Sequence, residues 1–290
     1  MGPKSDLAGE PSPLLTANRI LFLGDSITAA RDYVVDLQAA LALQEHTPEI
    51  IALGLPSEGV TGLSEPPHPF PRPDVTERLT RALSKINPDL VIACYGMNDG
   101  IYHPFSERRF IQYQKGIHSL IDKVNASGAQ LILLTPPPFD AQAPGIKNKL
   151  VGKNSPNFSW TKIYQHYDSE VIARYATFIL SLKSRVVQVA DIHTPINKHM
   201  VEKRTIDPDY HLSNDGVHIN RDGHRLMAQT IYQALLRQPL PKLPSRLVKK
   251  FQSKQNILAP AWLTHIGHTR PGVKAGLSLK EAKEKAAGIN

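Results

Sequence analysis

The sequence contains a single cysteine, Cys94, in 290 residues. An internal disulfide and a multi-cysteine zinc site are therefore excluded, and with them the disulfide-stapled scaffold and the zinc finger. No apolar run approaches the roughly 20 residues that span a bilayer, so no membrane span is expected. Hydrophobic residues make up 41% of the chain and charged residues 21%. This balance is typical of a globular protein and excludes a disordered or coiled-coil chain.

The formal net charge of +8 is unevenly distributed. Residues 239–290 hold 10 of the 34 Lys and Arg residues but only 2 of the 26 Asp and Glu residues, so residues 1–238 are neutral. The basic character belongs to the C-terminal segment, and nucleic acid is not an expected partner of the main body. No signal-like apolar stretch occurs in the first 18 residues. The sequence predicts a soluble protein, secreted or periplasmic if a leader precedes Met1, and leaves the compartment and the oligomeric state open.

Short apolar runs alternate with longer amphipathic segments, which is typical of an α/β protein with a parallel sheet. Strands are predicted at residues 19–23, 49–53, 90–95, 130–135 and 186–190. Helices are predicted at residues 32–44, 75–86, 107–126, 161–181, 221–236 and 278–287. Two irregular stretches, residues 63–73 and 136–160, follow strands and are candidate walls of a ligand pocket, although either one is also compatible with a surface loop.

Three parts of the chain are distinguished: an N-terminal arm at residues 1–18, a main domain at 19–238 and a basic, proline-containing extension at 239–290. The prolines of residues 239–244 predict a stiff linker. The extension contains an apolar cluster that is larger than a soluble protein usually exposes to water, so we expect the extension to pack on the main domain. The cluster consists of Ile257, Leu258, Trp262, Leu263 and Ile266.

Ser26 follows the first predicted strand, in the segment Gly24-Asp-Ser26. Taken alone, it is compatible with a helix cap or a turn. Asp215 and His218 lie three residues apart just before the last helix of the main domain, a spacing at which the carboxylate reaches the imidazole. A serine hydroxyl needs a general base, and that base needs a third group to orient it. Ser26, His218 and Asp215 together supply these three groups.

Acyl transfer also requires hydrogen-bond donors for the developing oxyanion. Asn98 follows the third strand in Gly96-Met-Asn98-Asp99, and Gly59 follows the second strand in Gly59-Val-Thr61. Both are candidate donors, the former through its side-chain amide and the latter through its backbone N–H. Each is also compatible with an ordinary turn.

These four blocks, in this order, resemble the SGNH or GDSL superfamily of esterases and lipases, over about residues 19–237. The resemblance implies a flavodoxin-like three-layer α/β/α sandwich with a five-stranded parallel sheet. It implies that Ser26 is the nucleophile of a triad with His218 and Asp215, and that Gly59 and Asn98 complete the oxyanion hole with the Ser26 N–H. The implied activity is that of a serine esterase without a cofactor, acting on short acyl esters of small molecules or of O-acetylated carbohydrate.

Two other classes of function are compatible with parts of the sequence. One is a metal hydrolase, since several histidines lie close together in sequence, but their spacings fit no compact ligand motif. These are His193, His199, His211, His218 and His224. The other is a catalytically inactive SGNH-fold module that binds carbohydrate or a polyanion through its basic extension. Neither a phosphate-binding loop nor a dinucleotide fingerprint is present in the sequence.

Overall fold

A computed structural model describes residues 11–289, so residues 1–10 of the predicted N-terminal arm lie outside the described part. The strands are β1 (Arg19–Gly24), β2 (Glu49–Gly54), β3 (Leu90–Cys94), β4 (Gln130–Leu134), β5 (Leu150–Val151), β6 (Ile163–Tyr164) and β7 (Gln188–Ala190). Five of them form one parallel sheet in the order β2-β1-β3-β4-β7, while β5 and β6 form a separate parallel pair. The predicted five-stranded parallel sheet is confirmed, and its strand ends agree within two residues.

Helices cover both faces of this sheet. They are α1 (Pro13–Thr16), α2 (Ser26–Ala30), α3 (Asp32–Leu43), α4 (Val75–Ile86), α5 (Glu107–Ala126), α6 (Ala173–Ser181), α7 (His193–Arg204), α8 (Arg221–Leu236), α9 (Ser245–Ile266) and α10 (Leu279–Ala287). Alternate residues of β1 point to opposite faces. Leu21 and Leu23 pack in one core with α4, α5 and α6, and Ile20 and Phe22 pack in the other with α3, α7 and α8. The predicted three-layer α/β/α sandwich is confirmed.

The edge strand β2 is covered by α9, which contacts both β2 and α3. Trp262 joins the core cluster on one face of the sheet and Ala259 joins the cluster on the other. Gln255 is buried and donates from Nε2 to the carbonyl of Ile50 in β2, at 3.1 Å. An edge strand presents unpaired backbone groups, and this helix satisfies one of them while excluding water. Helix α9 is thus packed on β2 and α3.

One predicted helix differs from the structure, and the structure contains helices that were not predicted. The helix predicted at residues 161–181 begins as β6, continues as a π-helical turn over Asp168–Ile172, and becomes α-helical only at Ala173. Among the helices longer than five residues, α7 and α9 were not predicted. Helix α7 buries few side chains, so its periodic signal is weak. Helix α9 contains Pro260, which in a sequence normally marks a helix end.

The two tryptophans of the chain provide a matched test of the extension. Trp262 is 6% exposed, and the Lys283 ammonium lies 5.1 Å from its ring centroid, whereas Trp160 is 46% exposed. We expect Trp262→Ala to lower the free energy of unfolding by about 3 kcal/mol, because it leaves a cavity beside the sheet. Trp160→Ala is expected to change it by no more than about 0.5 kcal/mol. Urea denaturation measures both, and equal midpoints would show that α9 does not unfold together with the main domain.

Candidate active site

Ser26 is the first residue of α2, directly beyond the end of β1. Asp25 caps this helix, since its Oδ1 accepts a hydrogen bond from the Ile27 N–H at 2.9 Å. The N–H groups in the first turn of a helix have no acceptor within the helix. The Ser26 N–H is therefore available to an acceptor in the same cleft as the Ser26 hydroxyl.

The structure brings Ser26, His218 and Asp215 together in one hydrogen-bonded chain. His218 Nε2 lies 2.9 Å from Ser26 Oγ, and His218 Nδ1 lies 2.8 Å from Asp215 Oδ2. The other carboxylate oxygen, Asp215 Oδ1, accepts from the backbone N–H groups of Val217 and His218 at 3.0 and 2.8 Å. These bonds orient the carboxylate toward the imidazole, and the imidazole faces the hydroxyl. A base of this geometry can take the Ser26 proton.

The turn that carries Asp215 is held by the long loop after β4. The Asp140 N–H donates to the Gly216 carbonyl at 2.9 Å, and the Gly145 N–H donates to the Asn214 carbonyl at 2.7 Å. Gly216 has a φ of +80°, which favours glycine. Residues 136–160, predicted as a candidate pocket wall, thus include backbone groups that fix the Asp-x-x-His turn.

The pKa values of Asp215 and His218 are shifted in opposite directions by their mutual hydrogen bond. Burial by itself raises the pKa of Asp215, but hydrogen bonds from the His218 ring and backbone outweigh it and hold the pKa well below its ordinary value. The hydrogen bond to Asp215 raises the pKa of His218, against an opposing effect of burial. Asp215 is therefore ionised across the neutral range, and it stabilises the imidazolium that forms when His218 takes a proton.

The raised pKa of His218 predicts how hydrolysis depends on pH. Only the neutral imidazole accepts the serine proton, so kcat/KM is expected to rise with pH through the ionisation of His218, with a midpoint above the ordinary pKa of a histidine. Asp215→Asn removes the carboxylate that raises this pKa, and the midpoint of the residual activity is expected to move to lower pH. A pH–rate profile of each protein measures the shift. A midpoint that stays in place would assign the acidic limb to another group, such as Asp25, whose pKa burial raises to about 6.

Asn98 lies in the turn after β3 and is almost completely buried. Its side-chain Nδ2 donates to the carbonyl of Glu58 at 3.0 Å and lies 3.4 Å from Asp25 Oδ2, in the residue preceding Ser26. One amide N–H of Asn98 is therefore bonded to Glu58, and the other lies beside the start of α2. This position is compatible with a donor to an oxyanion formed at Ser26.

Gly59, the third predicted oxyanion donor, is engaged elsewhere. Its N–H donates to the Pro73 carbonyl at 3.0 Å, and its own carbonyl accepts from the Val75 N–H at 3.0 Å, so the residue bridges to the start of α4. The Gly59 N–H is thus bonded in this structure, and its part in an oxyanion hole stays a prediction. A side chain is nevertheless excluded there, because a Cβ would lie 2.5 Å from Asp99 Oδ1. The other two predicted donors, the Ser26 N–H and Asn98 Nδ2, stay predictions.

A buried ion pair beside Asn98 was not predicted from the sequence. Arg72 lies in the proline-rich stretch 63–73, and its Nε and Nη2 donate to the two carboxylate oxygens of Glu65 at 2.8 and 2.7 Å. Its Nη1 donates to Asn98 Oδ1 at 2.9 Å. The C-terminal extension reaches the same stretch, since the Arg270 guanidinium lies 4.8 Å from the ring centroid of Phe70. The only sequence signal was the density of prolines, which marked this stretch as a candidate pocket wall.

The histidines that motivated the metal-hydrolase hypothesis have separate partners. His193 Nε2 contacts Asp168, His199 Nε2 contacts the Tyr210 hydroxyl, and His224 stacks on Tyr33. Between residues 11 and 289, no three histidine, cysteine or acidic side chains are grouped so as to hold a metal ion.

Among residues 11–289, no helix is both long enough and apolar enough to cross a bilayer.

Comparison with known proteins gives one family and a set of similar folds. Residues 22–226 match the model of the GDSL-like lipase/acylhydrolase family. A catalytic mutant of Axe2, an acetylxylan esterase from Geobacillus stearothermophilus, is 18% identical; the match covers 75% of this chain and 94% of that one, with a TM-score of 0.53. The acetyl xylan esterase AlAXEase is 21% identical over 75% of this chain and 99% of its own, with a TM-score of 0.53. The search of curated proteins found no match.

Proposed function

Because the chain belongs to the GDSL-like lipase/acylhydrolase family of ester hydrolases, we propose that it is a serine esterase that works through an acyl-enzyme on Ser26. Ser26 Oγ attacks the ester carbonyl while His218 Nε2 takes its proton. The Ser26 N–H and Asn98 Nδ2 donate to the oxyanion, and His218 then protonates the departing alcohol. Water, deprotonated by the same imidazole, attacks the acyl-enzyme, and the acid is released as Ser26 regains its proton.

The observation that carries this proposal is the continuous hydrogen-bonded chain from Ser26 through His218 to Asp215, with both links shorter than 3 Å. Asp and His three residues apart are common in turns, but a turn by itself does not bring the imidazole to a serine 192 residues away in sequence. Support also comes from Axe2, for which variants lacking a serine, an aspartate or a histidine are described as catalytic mutants. The same three residue types meet in this chain.

For the substrate, we propose a short acyl ester, above all an acetyl ester of a carbohydrate. The His218 side chain is 56% exposed, so the reacting groups lie in an open site. An open site buries little of a long acyl chain and gains little of the roughly 0.8 kcal/mol that each buried methylene contributes. It does admit an ester carried on a large molecule such as a polysaccharide. Two similar folds are those of acetyl xylan esterases, which supports the same substrate class.

A panel of p-nitrophenyl esters from acetyl to palmitoyl, with acetylated xylan alongside, tests the proposal. We expect no gain in kcat/KM from the acetyl ester to the octanoyl ester, because added methylenes that stay in water contribute no binding energy. Acetate release from xylan is expected to be retained. A fluorophosphonate should label Ser26 covalently. Absence of both labelling and hydrolysis would favour the inactive binding module, and a preference for palmitoyl over acetyl would overturn the short-acyl assignment.

A further inference from the structure

The side-chain amide of Asn98 has only one orientation that its neighbours allow. Oδ1 accepts from Arg72 Nη1 at 2.9 Å and from the Tyr102 hydroxyl at 3.1 Å. Nδ2 faces two acceptors, the Glu58 carbonyl and the Asp25 carboxylate. Guanidinium N–H groups only donate, and a carbonyl only accepts, so a flipped amide would set donor against donor and acceptor against acceptor. One amide N–H is therefore bonded to the Glu58 carbonyl, and the other is directed at Asp25, the residue that precedes Ser26.

Arg72 is itself fixed in place. Its fork bonds to both oxygens of Glu65, and the side chains of the pair are 3% and 0% exposed. The guanidinium carbon lies 5.4 Å from the ring centroid of Tyr102. Pro71 and Pro73 on either side restrict the backbone. A charged group with this many restraints holds a steady position, and Nη1 is the nitrogen that it directs at Asn98.

We propose that Arg72 is a positioning residue of the reaction, which aims the Asn98 amide at the oxyanion and strengthens it as a donor. The inference rests on the proposed esterase function. A hydrogen bond from a charged donor to Oδ1 polarises the amide, and this makes its N–H groups more positive. The Gly59 N–H is bonded to Pro73 and one Asn98 N–H is bonded to Glu58, so the Asn98 N–H that faces Asp25 across 3.4 Å is the one that can turn to the oxyanion. Its orientation therefore matters for turnover more than for substrate binding.

Arg72→Met and Arg72→Lys test this role with p-nitrophenyl acetate. For Arg72→Met we expect kcat to fall about 10- to 100-fold, the scale of one lost hydrogen bond to a charged group, with KM changed less than about 3-fold. Arg72→Lys keeps the charge but not the bidentate fork, so its kcat is expected to lie between those of Arg72→Met and wild type. A fall confined to KM, or no fall in either variant, would overturn the proposal.

A double-mutant cycle with Asn98→Ala distinguishes positioning from general damage. If Arg72 acts through the Asn98 amide, Arg72→Met lowers kcat little further, less than about 3-fold, in the Asn98→Ala background. If the fall in kcat of the double variant equals the product of the falls in the two single variants, Arg72 acts independently of Asn98, and the inference is refuted.

Removing Arg72 leaves the Glu65 carboxylate buried without its partner, which is costly to folding. Circular dichroism and thermal unfolding therefore accompany each assay. Should Arg72→Met fail to fold, the same cycle is carried out with Arg72→Met/Glu65→Gln, which removes the uncompensated charge, and with Arg72→Lys. A wild-type protein that hydrolyses no ester would refute the proposed function itself. An active wild type whose folded Arg72 variants keep their kcat would refute only the positioning role.

Discussion

Ser26→Ala is expected to reduce ester hydrolysis by at least about 10³-fold without unfolding the protein. The proposed mechanism forms its covalent intermediate on Ser26 Oγ, and no other group in the hydrogen-bonded chain replaces that nucleophile. Among residues 11–289, the Ser26 side chain hydrogen-bonds only to His218, and it is partly exposed, so its removal costs little packing. Steady-state kinetics with p-nitrophenyl acetate, together with thermal unfolding, measure the two effects.

Ser181→Ala is a suitable matched control for this variant. Ser181 lies at the end of α6, is exposed, and bonds to the carbonyl of Phe178 in its own helix. We expect it to retain full activity and to have an unchanged unfolding midpoint, within about 0.5 kcal/mol. A Ser26→Ala protein that keeps a tenth of wild-type activity would show that another residue is the nucleophile. If fluorophosphonate labelling is lost in Ser26→Ala but kept in Ser181→Ala, this would support Ser26 as the labelled residue.

Asn98→Ala is expected to lower kcat by about 10²–10³-fold, the usual effect of removing one oxyanion donor. We expect a fall in kcat toward the upper end of this range. The Gly59 N–H donates to the Pro73 carbonyl in the structure, so fewer donors can replace the lost Asn98 amide. KM is expected to change much less, since the developing negative charge exists only in the transition state. Single-turnover kinetics with p-nitrophenyl acetate measure the acylation step directly.

Asn125→Ala provides the comparison, because Asn125 is an exposed residue near the end of α5. It is expected to leave both kinetic constants unchanged. Asn98→Asp adds a second comparison, since it keeps the shape of the side chain but replaces the donating NH2 with an oxygen. Turnover should fall in Asn98→Asp at least as far as in Asn98→Ala. An effect of Asn98→Ala on KM alone would make Asn98 a substrate-binding contact.

The parts of the site that the sequence predicted are those that depend on short-range geometry. Asp215 and His218 bond across a single turn, so their spacing carries the information. Ser26 and Asn98 each follow an apolar strand, and the carboxyl ends of parallel strands share one edge of a sheet. Their order along the chain matched a known family, and the structure places all four close together.

The features that the sequence left undecided depend on contacts between distant segments. A glycine at position 59 could serve to leave its N–H accessible or to make room for a close neighbour. Only the folded chain shows that the N–H is bonded to the Pro73 carbonyl and that Asp99 occupies the space of a Cβ. Helix α9 continues through Pro260 because its apolar face packs on the sheet edge, and burial there outweighs the local preference of proline. Neither outcome is encoded within a short window of sequence.

The sequence by itself determined the α/β class, the parallel sheet, and the Ser26, Asp215 and His218 set, because strand hydrophobicity and turn spacing are local properties. Tertiary structure alone decided how the Asn98 amide is oriented and where the basic extension lies. Arg72 is 26 residues from Asn98 and 7 from Glu65, and nothing in those spacings specifies contact. The three side chains meet only when burial forces each polar group to find a partner, and that requirement acts on the whole folded chain.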